Sequence, residues 1–221
     1  MSRGIPFIHK TNTRSRSVKI HVESTGVVII TTPPRFAKFR LPQYVEEARS
    51  WIEEQQRRLK DKPILWSDTS VFYFGIPHEI VQTDRMDGSV HVRENKIYVA
   101  PLKSTAHAIH ELLESWLKNR AIEYCLQRVG SLGEKMNVTY HDVHFKQQKT
   151  RWGSCSSDKN LNFNWRLIHA PKEVIDYVII HELAHTVHMN HGRQFWDLVA
   201  KYDPDHPQHR GWLKRYGNTE D

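Results

Sequence analysis

The sequence predicts an α+β protein: a β-rich half with one helix over residues 1–102, then a half over 103–221 in which helices surround a small sheet. Three observations predict this. Short runs of alternating polarity fill much of the first hundred residues. A long amphipathic helical pattern follows over 104–129. After it, an alternating strand over 161–167 precedes a helix that is apolar nearly all round.

The elements follow in order. In 17–32, Val18, Ile20 and Val22 alternate with Lys19, His21 and Glu23; Ser24-Thr25-Gly26 makes a turn, and Val27 to Ile30 return as a β-hairpin. Pro33-Pro34 ends it. Residues 43–60 read as one helix, with Val45, Ala48, Ile52 and Leu59 inward and Glu and Arg outward. Residues 71–82 and 90–99 hold two or three further strands, divided by turns at Gly75-Ile76-Pro77, Asp87-Gly88 and Glu94-Asn95. The helix over 104–129 buries Ile109, Leu113, Trp116, Leu117 and Tyr124. A strand lies within 137–153. Ser156 to Asn160 form a hairpin loop, and Leu161, Phe163, Trp165 and Leu167 alternate with Asn162, Asn164 and Arg166. Pro171 sits early in the next helix, where its missing N–H costs nothing. A short helix packs Phe195, Trp196 and Val199. The tail, with His206 and His209, reads as polar and solvated.

Composition narrows the function classes. The chain has 221 residues, and no apolar run approaches the roughly 18 residues of a membrane span. The N-terminus lacks a signal-peptide layout, and Cys125 and Cys155 form no C-x-x-C, so both read as reduced thiols of a cytoplasmic protein. Residues 1–60 hold 12 Lys and Arg against 5 Asp and Glu, a net +7. The whole formal charge of the chain therefore lies there, where it could steer nucleic acid, although a solvated helix face with alternating signs explains much of it.

The chemistry concentrates in 177–191. His181, Glu182 and His185 form an H-E-x-x-H. Four residues span slightly more than one helical turn, so two imidazoles stack on one face and can grip a divalent metal at about 2.0–2.1 Å. Glu182 lies about 100° round the helix, where it can flank the metal as general base without ligating it. Val174, Ile175, Val178, Ile179, Ile180, Leu183, Ala184 and Val187 make the helix a buried one. A buried Glu between two His costs several kcal/mol unless a metal and water satisfy it. A catalytic zinc site needs a third ligand and an open position. His188 lies on the same stripe, about 10.5 Å along the axis from His181, too far for one ion on an unbroken helix. If the helix stops near His188, with Asn190 in a left-handed turn before Gly192, His191 can fold back to complete the set.

The segments Arg151-Trp152-Gly153-Ser154-Cys155-Ser156, Leu161 to Leu167, Asp176 to His185, Asn190-His191-Gly192 and Phe195-Trp196 together resemble the YgjP-like metallopeptidase family, and more distantly the SprT-like and WLM zinc peptidases. The resemblance is close over 151–196. It implies a zincin-like catalytic half, one Zn2+ held by His181, His185 and His191, Glu182 as base, and a peptide or protein substrate. Metzincins share the ligand spacing but place Gly where His188 stands. Arg151, Trp152, Gly153 and Ser154 are expected to line the substrate groove beside a sheet edge that accepts an extended peptide. The oxyanion stabiliser is open among Arg151, His188 and His209. Two alternatives accompany this reading. One is a metal-dependent endoribonuclease, since YbeY-like enzymes use a similar His spacing with Gly in place of Glu182. The other is a nucleic-acid-associated protein whose metal is structural.

Overall fold

The computed structural model describes residues 4–23, 25–60, 64–147 and 151–216. The chain forms two compact units, 1–63 and 64–221. The division expected at 102/103 is not where the units part, for a reason visible in the second unit's core.

In the first unit, β1 (Phe7–Thr11), β2 (Lys19–Val22) and β3 (Val28–Thr32) form a sheet of order β1-β3-β2. The hairpin predicted over 17–32 is present, with Ile20 opposite Ile30. Strand β1 was not anticipated: it pairs in parallel with β3, Phe7 opposite Val28, a long-range partnership that no local turn announces. The helix expected over 43–60 is two, α1 (Leu41–Glu47) and α2 (Arg49–Lys60), parted at Ala48, whose φ and ψ of −92° and 3° leave the helical well. Leu41, Val45 and Ile52 pack with Val28 and Ile30 in a closed core.

In the second unit, β4 (Ser70–Tyr73), β5 (Ile76–Gln82), β6 (Ser89–Arg93) and β7 (Lys96–Ala100) form a sheet of order β4-β5-β7-β6. Helix α3 (Ala106–Met136) runs past the end expected at residue 129. Gly130 and Gly133 stay helical, and Asn137 ends it with φ of 54°. The first half of α3 packs Leu113, Leu117 and Ala121 on Val71, Ile97 and Val99 of the sheet. Its second half packs Cys125, Val129, Leu132 and Met136 into the core beneath the metal helix. One helix thus spans both cores, so a cut at residue 102 would expose the sheet's apolar face.

A second sheet of order β8-β10-β9 joins β8 (Val143–Lys146), β9 (Gly153–Cys155) and β10 (Leu161–Asn164). The Ser156–Asn160 hairpin loop is present, with Lys159 in the left-handed region at φ 60°. The expected strand over 161–167 stops at Asn164, whose side chain accepts the backbone N–H of Arg166 and opens a 3-10 turn over Trp165–His169. Trp165, Leu167 and Ile168 are buried all the same, because the turn lies across α3. Residues 148–150, part of the segment expected to carry a strand, lie outside the described residues. Helices α4 (Lys172–His185), α5 (Arg193–Tyr202) and α6 (His206–Tyr216) follow, α5 and α6 both packing on α4. The tail read as solvated is this last helix, with Leu213 buried in the core.

Candidate metal centre

Helix α4 is buried because apolar residues occur on every side of it: Ile175, Val178, Ile179, Ile180, Leu183 and Ala184 are each at most 3% exposed. Glu182 is 5% exposed among them. The helix stops at His185, and Thr186 continues with a right-handed cap. This is one turn earlier than expected. Asn190 has no positive φ, so the predicted left-handed turn is absent: the chain leaves α4 through consecutive backbone bonds from the N–H groups of Val187 and His188 to the Ala184 carbonyl. That early exit swings 186–192 back over the helix.

The nitrogens of His181, His185 and His191 converge within 4.8 Å of one another and could hold a metal ion. The Nε2 atoms of His181 and His191 are 3.0 Å apart. Two ligand nitrogens of a tetrahedral zinc site stand about 3.3 Å apart, given metal–nitrogen bonds of about 2.0–2.1 Å. The donor set therefore fits such an ion. His185 Nδ1 lies 3.1 Å from the His188 carbonyl, which accepts its proton and leaves Nε2 with a lone pair for the centre. His188 lies outside the cluster and contributes this carbonyl. Phe195, fully buried, underlies all three rings at centroid distances of 4.9, 4.5 and 4.7 Å. Burial lowers the pKa of His181 to about 3, and the charges of His185 and His191 add to this, so its ring stays neutral. Burial likewise lowers that of His185. Neutral imidazole is the ligating form.

Glu182 leans on the small sheet. A Cβ added at Gly153 would stand 2.6 Å from Glu182 Oε1 and 2.8 Å from Cγ, so only glycine leaves room for the carboxylate there. The carboxylate also reaches Cys155: burial, then the charge of Glu182, pushes that thiol up to about 11. Strand β9 is the edge of its sheet next to α4, and a cavity of about 640 Å³ opens over it. Arg151, Trp152, Gly153 and Ser154 all line this cavity with His181, Glu182, His185 and His191, so the structure brings the eight expected site residues together.

Sequence reasoning missed the far wall. Arg210 and Leu213 reach the cavity from α6, and Tyr177, Met189 and Trp196 complete it. His206, Arg210 and Leu213 stand at i, i+4 and i+7, one helical face, but Pro207 and Gly211 hide the pattern. His206 stacks on Trp196 at 5.4 Å, and His209 Nδ1 pairs with Asp203 Oδ2 at 2.9 Å. Neither belongs to the metal cluster.

Among solved structures, the chain is similar to the metallopeptidase zymogen of Methanocaldococcus jannaschii jannalysin, with 23% identity, a TM-score of 0.36, and coverage of 41% of this chain and 95% of that one. No curated protein matches the chain at a significant level. Residues 16–216 match the family model of the YgjP-like metallopeptidase domain. The family implies a divalent metal, for which the histidine cluster offers the donors. The chain belongs to the YgjP-like metallopeptidase family and is a metal-dependent hydrolase.

Proposed function

We propose that the protein is a cytoplasmic zinc peptidase in which His181, His185 and His191 hold the ion and Glu182 is the general base. The observation that carries this reading is the meeting of three imidazole nitrogens within 4.8 Å beside a carboxylate that only Gly153 accommodates. A bound zinc ion lowers the pKa of water to about 7 and polarises a carbonyl. The His188 carbonyl keeps His185 in the ligating tautomer, and Phe195 holds the three rings against tilting. Glu182 takes a proton from the attacking water and delivers it to the leaving amine. An extended peptide adds to the open edge of β9, where Arg151, Trp152, Gly153 and Ser154 form the groove floor. The unbridged Cys125 and Cys155 support a reducing compartment. Among the described residues no helix is long and apolar enough to cross a membrane.

The test pairs elemental analysis with hydrolysis of casein peptides. Glu182→Gln should keep one zinc per chain and lose about 10²–10⁴-fold in rate, the usual contribution of a general base. Full activity in that variant would end the role given to Glu182.

A second reading, action on or near nucleic acid, rests on the net +7 of residues 1–60. Glutamates already counted in that net have local partners, Arg49 with Glu46 and Glu53, and Arg57 with Glu54, so the excess rests on the other basic residues. Binding to duplex DNA that weakens steeply with salt, and disappears on neutralising Arg14, Arg16 and Lys19, would establish docking. RNA cleavage surviving Glu182→Gln would replace the peptidase with a nuclease.

A further inference from the structure

We propose that Arg210 binds the carbonyl oxygen of the scissile bond as that oxygen becomes negative. The inference rests on the peptidase reading above and adds the group that reading lacks.

Hydrolysis by water attack needs two functions, and a protein donor can share the second with the metal that polarises the carbonyl. One removes a proton from the water. The other receives the electron pair that moves onto the carbonyl oxygen as the new C–O bond forms. When the C–N bond breaks, that pair returns and the amine leaves with the proton that Glu182 removed. Arg210 gives up no proton in this sequence; it supplies only charge and N–H donors.

Glu182 works from the β9 wall, against Gly153. Arg210 lines the same cavity from another element, α6. Its guanidinium lies over the Trp196 ring, 5.4 Å from the centroid. That ring stacks on His191 at 5.7 Å and meets His181 edge-on at 5.9 Å. Arg210 is therefore held one aromatic ring away from two of the three histidines. Among the described residues no carboxylate stands within ion-pair distance of it, and the cavity it lines holds a single acid, Glu182. This cation–π contact with Trp196 restricts the side chain before substrate arrives, which is the preorganisation such a donor needs.

The other candidates fit less well. Arg151 lines the cavity but is exposed. His188 is absent from the lining and serves through its backbone carbonyl. His209 is engaged by Asp203.

The experiment uses the zinc-loaded full chain, an internally quenched peptide selected from casein cleavage, and a phosphinic pseudopeptide in which PO2⁻–CH2 replaces the scissile CO–NH. Arg210→Ala should lower kcat by about 10²–10³-fold, the usual cost of one such donor, with little change in KM. The affinity for the phosphinic pseudopeptide, read by calorimetry, should fall by a similar factor. Arg210→Lys keeps charge and stem and should recover part of both. Millimolar guanidinium should restore turnover to Arg210→Ala, which a purely structural role would not allow. A raised KM with kcat and phosphinate affinity unchanged would overturn the proposal. Wild-type protein that binds zinc but cleaves no peptide would bring down the peptidase reading, and this inference with it; normal turnover in Arg210→Ala would bring down this inference alone.

Discussion

Gly153→Ala isolates the contact between the small sheet and Glu182, the proposed general base. The added methyl would stand 2.6 Å from Glu182 Oε1, 2.8 Å from Cγ and 3.0 Å from Cδ. Ordinary contact begins near 3.4 Å, so the carboxylate must retreat by about 0.8 Å. Gly153 itself has no left-handed φ, so alanine adopts its backbone without strain and the cost falls on the side chain opposite. Glu182 is 5% exposed, with the fully buried Leu183 and Ala184 beside it, so the space left for its retreat is the cavity that it lines, and any such retreat displaces the carboxylate. A misplacement of about 1 Å at a reacting group costs about 10²-fold in rate. Overpacking of this kind costs about 1–3 kcal/mol of stability. The expected result is therefore a loss of about 10²-fold in kcat with zinc stoichiometry unchanged and only a modest fall in denaturation midpoint. Peptide hydrolysis kinetics, elemental analysis and urea unfolding measure the three quantities. A variant that keeps kcat within about threefold would refute the argument that Glu182 is braced against β9.

Two further predictions concern metal linkage and acid stability. Free zinc at about a thousand times its dissociation constant should stabilise the wild type by about 4 kcal/mol, visible as a raised Tm that chelator abolishes, and His191→Ala should lose most of that increment while keeping the metal-free Tm. His169 lies far from that chemistry, buried, with its Nδ1 proton given to the Phe72 carbonyl at 2.7 Å. Burial drives its pKa down to about 4, so the folded ring stays neutral while the unfolded one protonates near 6.5. The unfolded state thus binds the extra proton as pH falls from about 6.5 towards 4, and stability present above that window is lost within it. Between pH 7 and pH 5 this should cost about 2 kcal/mol in urea unfolding, a loss absent from His169→Gln; equal pH slopes in the two proteins would contradict it.

Local rules made much of this legible. The hairpin of β2 and β3 and the Ser156–Asn160 loop follow from alternation and turn residues, which act over a few positions; the same rules read two or three strands over 71–99, where the sheet has four. The His181–His185 pair follows from helical spacing alone. Elements that depend on distant partners were not legible. Strand β1 exists because β3 offers it an edge; α3 outruns its two glycines because the core beyond residue 129 holds it. The turn after His185 shows the same limit: a left-handed Asn190 was a sound local expectation, but backbone bonds to Ala184 carry the chain back without it.

The amino-acid sequence by itself determined the donor set that could hold a metal: two imidazoles one helical turn apart, a carboxylate between them and a third histidine within reach. Spacing of that kind is a property of the helix and needs no partner. Only the tertiary structure decided what surrounds it, including the β9 glycine that admits Glu182 and the α6 arginine that lines the cavity. Those groups meet because α6 packs on α4 and β9 lies across it, and burial of apolar area is indifferent to distance along the chain.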